Sequence, residues 1–142
     1  MTPIITDAQF EAEHHNKELS YQADENIILH VEPQLLSSAI ENVLRNAIHY
    51  SNHLIQVSVS VQDKHIVWVI EDDGNGIEES QLGRVFEAFY RESTARDRHS
   101  GGVGLGLAIA HHAVAKHQGF IQASNKPQGG LIVKISIPFA RP

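Results

Sequence analysis

The run IQVSVSVQ alternates apolar Ile55, Val57, Val59 and Val61 with polar Gln56, Ser58, Ser60 and Gln62. Side chains along a strand point to opposite faces in turn, so this period of two predicts a half-buried strand with one wet face. Just downstream, IVWVIE (residues 66–71) is apolar on both faces and predicts a central strand that must stop at DDGNGI. A sheet with one apolar face needs a cover. QLLSSAIENVLRNAIHY (residues 34–50) follows Pro33, a good helix-start residue, and puts Leu36, Ala39, Ile40, Val43 and Ala47 on one side. The fold class these elements predict is α/β (α+β): a two-layer sandwich with one layer of helices on one sheet.

The remaining segments complete that pattern. Residues Thr6 to Asn16 read as a polar helical segment, and ELSYQA and NIILHV as short strands parted by a turn at Asp24–Asn26. ESQLGRVFEAFY (residues 79–90) reads as a short helix or helical turn, and the charged stretch from Arg91 to Ser100 as a mobile loop. A helix from Leu105 to Gln118, stopped by Gly119, precedes FIQASN and LIVKISIP, two strands around a PQGG turn. Neither an internal repeat nor an interdomain linker is visible.

Composition narrows the function classes. The 142 residues carry a net charge of −6, so no whole-chain basic field invites nucleic acid. With 42% hydrophobic and 20% charged residues the chain is ordinary globular material, and it has no apolar run of membrane-spanning length, which predicts a soluble domain. There is no cysteine, hence neither disulfide nor thiolate metal site. The ten histidines include two adjacent pairs, His14-His15 and His111-His112, and neighbours along a helix do not share a face, which argues against zinc.

Three places carry candidate chemistry. On the first long helix, Asn42, Asn46 and His49 lie within a stripe about 60° wide at the edge of the apolar face. Amides there serve either the core's own hydrogen bonds or a ligand, and an amide oxygen suits magnesium, a hard cation that shares phosphate oxygens. In EDDGNGI, Asp72 ends a buried strand, with Gly74 and Gly76 allowing a sharp turn close to a flat ligand. Its carboxylate either caps turn amides or accepts a hydrogen bond from an exocyclic amine such as that of adenine. Third, VFEAFYR and a basic loop with Arg91, Arg96 and Arg98 lead into GGVGLGLAIA, whose glycines bare the backbone where a helix begins. Such a helix start either binds an anion or is a plain turn into a packed helix.

The order of these stretches is informative. ENVLRNAIHYS, DDGNGI, FEAFYR and GGVGLGLAIA together resemble the asparagine box, first glycine box, phenylalanine box and second glycine box of the catalytic, ATP-binding domain of sensor histidine kinases. These kinases form a branch of the GHKL ATPase superfamily. The resemblance runs from Glu32 to Pro138, and FYRESTARDRHSGGVGLGLAI is most similar to envelope-stress sensor kinases of the Cpx type. It implies a Bergerat-type fold, a mixed sheet covered on one face by about three helices, with Arg91–Gly101 as a mobile ATP lid. Residues 1–20 resemble the connector from a dimerisation domain, leaving 21–142 as the catalytic domain. The implied ligands are ATP and Mg2+. Asn46 would bind the metal, with Asn42 and His49 beside the phosphates. Tyr50, Asp72, Gly74, Gly76, Ile77, Phe89 and Arg91 would line the nucleotide. Gly102, Val103, Gly104, Leu105, Gly106 and Leu107 would border its phosphates.

Two departures from the family pattern matter. His49 stands where a Lys or Arg commonly faces phosphate, which makes any charge there pH-dependent. The family's phosphoacceptor box is also missing, since His14-His15 is followed by Asn-Lys-Glu-Leu. The resemblance therefore implies a catalytic fragment. Its partners would be its own dimerisation and phosphoacceptor domain and, indirectly, a response regulator. The full-length kinase would be a membrane-anchored homodimer, with this domain on the cytoplasmic side of a bacterial inner membrane. Two alternatives are a hydrolytic GHKL ATPase and a nucleotide-sensing module without transfer. Hydrolytic relatives place a glutamate at the position held here by Asn42, whereas Glu41 is rotated about 100° away.

Overall fold

In the computed structural model the described residues are 3–23, 34–84, 86 and 103–138, and within these the side chains of 3–4, 34–38, 81, 83–84 and 103–106 are left aside. The elements, in chain order, are α1 (Pro3–His14), β1 (Glu18–Ala23), α2 (Gln34–Tyr50), β2 (Leu54–Gln62), β3 (His65–Asp72), a 3-10 turn (Glu79–Arg84), α3 (Val103–Lys116), β4 (Phe120–Asn125) and β5 (Leu131–Pro138). The expected strand NIILHV and the turn before it lie outside the described residues.

The strands form one five-stranded sheet in the order β1-β2-β3-β5-β4. β1 runs parallel to β2, and the other pairs are antiparallel, so the sheet is mixed. Parallel neighbours need a long crossover, and α2 lies on the link between β1 and β2. β2 and β3 are joined tightly through Asp63 and Lys64, both with positive φ (51° and 65°). That is the twist a two-residue hairpin turn requires. β3 is central, as its two-sided apolar sequence predicts.

The core lies between the sheet and a helix layer of α1, α2 and α3. Ile55, Val57 and Val59 of β2, Trp68 and Ile70 of β3 and Ile135 of β5 meet Ile40, Val43 and Leu44 of α2 and Ala110 and Val114 of α3. Val61, the fourth apolar residue of the alternation, is 42% exposed. It pairs with Ile66 next to the hairpin turn, where the strand is running out. α1, polar by sequence, still buries Ile5, Ala8 and Ala12 in the same core.

Helix ends are set by local bonding. α3 begins at Val103, two residues earlier than expected, so Gly104 and Gly106 belong to its first turns. At its other end the left-handed residue is Gln118 (φ 61°), not Gly119. Gly119 is needed for space, because a Cβ there would lie 2.6 Å from the Ser136 carbonyl oxygen. α1 closes the same way through Asn16 (φ 62°), with the Lys17 N–H bonded to the Ala12 carbonyl at 2.8 Å.

Candidate nucleotide site

α2 places the asparagine stripe at the border between its buried and exposed sides. Asn46 is 6% exposed, and its Oδ1 accepts no hydrogen bond among the described residues. A buried polar atom left unpaired costs about 1–3 kcal/mol, so such atoms are rare and call for a reason. Asn42, one turn earlier, is half-buried, and its Oδ1 takes a long 3.4 Å hydrogen bond from Arg45 Nη1. Arg45 also meets Glu41 at 3.7 Å, with both side chains more than half exposed. Glu41 thus sits on the solvent side with Arg45, away from Asn46. His49 and Tyr50 end the helix, both exposed, with their rings edge to face at 4.7 Å.

The end of α2 abuts the loop that follows β3. Asp72, the last residue of β3, is 4% exposed. Its Oδ1 accepts hydrogen bonds from the Gly74 N–H at 2.8 Å and the Leu131 N–H at 3.3 Å. Capping and ligand reading are therefore not exclusive: the cap uses one carboxylate oxygen and leaves the other. Burial pushes the Asp72 carboxyl above its ordinary value, and the neighbouring Asp73 charge adds to this. The two backbone hydrogen bonds and the charge of Lys126 pull the other way. Lys126 is held close by Glu71 at 3.4 Å.

Asp73 does a different job. Its carboxylate accepts the Asn52 N–H at 2.8 Å and the His53 N–H at 3.0 Å, and its carbonyl accepts Asn52 Nδ2 at 2.9 Å. The link between α2 and β2 is thereby fastened to the glycine loop. Gly74 packs directly on the Tyr50 carbonyl, where a Cβ could not fit. Asn46 is one helical turn, about 6 Å, before that contact. The structure thus brings the asparagine stripe and the Asp72–Ile77 loop to one corner.

Two residues of this corner are not legible in the sequence. Asn125, at the end of β4, bonds both backbone groups of Ile77, accepting its N–H at 2.9 Å and donating to its carbonyl at 2.6 Å. Gly130 (φ 111°) lies where a Cβ would overlap the Asp72 carbonyl oxygen. The expected PQGG turn was the available signal for Gly130, but its contact with Asp72 depends on the β3–β5 pairing. No pattern in FIQASN singles out Asn125.

At the third place, Val103, Gly104, Leu105 and Gly106 form the start of α3, and Leu107 is buried in the core. The first-turn N–H groups of a helix have no partner within it and carry the positive end of its dipole. Phe86 packs against the core and stacks on His111 of α3, with ring centroids 5.5 Å apart. Phe89, Arg91, Arg96, Arg98, Gly102 and the expected lid lie outside the described residues. Among the described residues no three His, Asp or Glu side chains gather as a metal site. A cation here would have to be shared with a ligand's oxygens, and the uncommitted Asn46 Oδ1 is a donor of the hard kind that magnesium takes. No helix among the described residues is long and apolar enough to cross a membrane.

Comparison with known proteins shows the family and the fold. Residues 31–141 match the profile of the family described as histidine kinase-, DNA gyrase B- and HSP90-like ATPase. The chain is 40% identical over 136 residues to the sensor histidine kinase CpxA of Escherichia coli K12, covering 95% of this chain and 30% of that protein. It is 42% identical over 106 residues to the sensor-like histidine kinase SenX3 of Mycolicibacterium smegmatis, covering 73% of this chain and 28% of that one. The chain thus spans less than a third of the length of these curated relatives, 30% and 28%. Among solved structures, the mycobacterial sensor histidine kinase MprB superposes with a TM-score of 0.75 at 27% identity, covering 95% of this chain and 93% of that one. The nucleotide-free catalytic domain of histidine kinase ThkA superposes with a TM-score of 0.77 at 20% identity, covering 95% and 90%, which speaks to the fold alone. The chain belongs to the histidine kinase-, DNA gyrase B- and HSP90-like ATPase family.

Proposed function

We propose that this chain is the ATP-binding catalytic domain of a two-component sensor histidine kinase, presenting the γ-phosphate of Mg-ATP to a histidine on a separate helical domain. The observation that carries the reading is the buried Asn46 Oδ1, uncommitted among the described residues and one turn from the glycine loop. Such atoms are rare in native folds, and an ion shared with a ligand is one way they are satisfied, which supports the reading.

Each residue then has a role. The Asp72 oxygen that makes no cap accepts the adenine amine, while Gly74, Gly76 and Ile77 shape the loop over the base and Tyr50 borders it. Asn46 would hold magnesium, and Asn42 and His49 would orient the phosphate oxygens and the water around them. The first-turn amides of α3, from Val103 to Leu105, would meet the phosphates at the positive end of that helix, with Gly102, Gly106 and Leu107 bordering them by resemblance. Phe89 and Arg91 belong to the same site by resemblance. Magnesium, when bound, supplies neutralisation of phosphate charge. The chain's own part is to bind and orient. The acceptor imidazole attacks, its bond to phosphorus forms as the bond from phosphorus to ADP breaks, and ADP leaves. Positioning and charge stabilisation are most of what such a transfer needs.

Hydrolysis fits less well, because the acidic neighbour Glu41 is engaged with Arg45 on the solvent side. We further propose residues 1–20 as the connector, with α1 packed on the catalytic core through Ile5, Ala8 and Ala12 and residues 18–20 already entering the sheet as the start of β1, in a cytoplasmic part of an inner-membrane sensor. A response regulator is the final acceptor on this reading. The test is incubation with γ-labelled ATP, with and without a separately produced helical domain carrying the acceptor histidine. The chain alone should gain no stable acid-labile label, and the added domain should become labelled, weakly, since a tether's effective concentration is lost. Stoichiometric acid-labile label on the chain alone would overturn the proposal.

A further inference from the structure

The loop from Asp72 to Ile77 is fastened at both ends. At its start Asp73 holds the Asn52 and His53 amides. At its far end Ile77 packs against the core, and among the described residues the hydrogen-bonded fastening is one side chain, Asn125. A carboxamide that pairs both the N–H and the C=O of Ile77 reproduces the reciprocal bonding of two facing residues in an antiparallel ladder. It therefore sets the orientation of the backbone at Ile77 as well as its distance. Gly76 makes the approach possible. Its φ is 75°, and a Cβ there would lie 2.6 Å from Asn125 Oδ1. Asn125 is also the cross-strand partner of Leu131, whose N–H donates to Asp72 Oδ1. The two ends of the loop are thus referenced to the same pair of residues, at the mouth of the β4–β5 hairpin.

We infer that Asn125 is a positioning residue for base recognition: through Ile77 it holds the glycine loop at a set span from Asp72, so that discrimination between adenine and guanine depends on a side chain that touches neither. The inference rests on the nucleotide reading above. Its physical basis is tolerance. A carboxylate rejects the wrong base only while the base is held to about 0.5 Å of one pose. A loop released at Ile77 lets the ring slide, and the wrong base then finds a compromise.

A tie that served stability alone would weaken all nucleotides equally, so selectivity is the telling readout. Affinities of this chain for Mg-ATP, Mg-GTP and magnesium tripolyphosphate should be measured by calorimetry for wild type, Asn125→Ala and Asn125→Asp, alongside thermal unfolding. Asn125→Ala removes both bonds. Asn125→Asp has nearly the same shape and keeps the acceptor for the Ile77 N–H, but sets an oxygen against the Ile77 carbonyl, so it reports even where the alanine variant folds poorly. The expected result is a fall of about fivefold to twentyfold in the ATP-to-GTP preference, borne mostly by ATP, with tripolyphosphate affinity within about twofold of wild type. A preference unchanged in both variants, in a wild type that does favour ATP, overturns the role of Asn125 alone. A wild type that binds no Mg-ATP overturns the nucleotide reading itself, and this inference with it.

Discussion

Replacing Gly74 by alanine tests whether the glycine loop and the end of α2 form one rigid corner. The new Cβ would overlap the Tyr50 carbonyl oxygen and lie 3.1 Å from the Tyr50 carbonyl carbon and 3.2 Å from Asp72 Oδ1. Gly74 is not among the positive-φ residues, so the cost is steric rather than conformational. The obstacle is backbone, and no side-chain rotation clears it. One segment must retreat by about 1 Å to recover an ordinary carbon contact. Tyr50 is held in α2, while the loop is held by the Gly74–Asp72 bond at 2.8 Å and the Asn52–Asp73 bond at 2.8 Å. Relief that breaks both, each to a carboxylate at about 1.5–3 kcal/mol, would cost about 3–6 kcal/mol. Partial relaxation brings this towards the about 1–3 kcal/mol usual for overpacking, and we expect about 2–4 kcal/mol. Urea unfolding followed by far-UV circular dichroism reads that loss. Calorimetry under conditions where the variant stays folded should show Mg-ATP affinity down at least about tenfold, since the displaced loop carries Asp72 with it. Gly129→Ala is the control. Its φ is 111°, but the nearest heavy atom to a new Cβ is 3.9 Å away, so it should lose about 1–3 kcal/mol of stability while keeping affinity within about threefold. Wild-type stability in Gly74→Ala, or equal loss of affinity in the two variants, would refute the rigid-corner argument.

Asn46→Ala should change stability by less than about 1 kcal/mol, because the Oδ1 it deletes is unpaired, yet greatly weaken Mg-ATP; unchanged affinity by calorimetry would remove Asn46 from the metal site. Asp72→Asn should narrow a wild-type preference for ATP over GTP, because the carboxylate is assigned to an N–H donor; a wild type that binds both equally would sink that assignment. The same variant has a pH signature in denaturation: with the Asp72 carboxyl raised by burial, the folded state binds more protons, and wild-type stability from this group falls as pH rises from about 3.8 through the raised value. Asp72→Asn should therefore gain on wild type across that window and hold the gain above it. Asp73 goes the opposite way: partial burial pushes its carboxyl up, but the His53, Asn52 and Leu54 amides outweigh this and hold it low. Its contribution is present above pH 3.8 and lost as pH falls through the lowered value, so Asp73→Asn should cost about 1 kcal/mol at neutral pH and nothing well below it.

What the sequence determined alone is what short-range periodicity encodes. Alternation in residues 55–62 and the two-sided run at 66–71 specify a half-buried and a central strand, because a strand's faces repeat every two residues. The spacing of Asn42, Asn46 and His49 specifies a shared stripe, because a helix turns 100° per residue. The order of the glycine, asparagine and phenylalanine stretches was legible for the same reason: each is a local pattern. Tertiary structure decided the rest. Which asparagine is buried without a partner, Asn46 rather than Asn42, depends on how α2 settles against its neighbours. That one oxygen of Asp72 caps both Gly74 and Leu131 depends on the β3–β5 register, which alone brings Leu131 to it. Asn125 meets Ile77 across 48 positions of chain. A hydrogen bond acts over about 3 Å, and nothing in the residues on either side of such a contact marks the other as its partner until the sheet has aligned them.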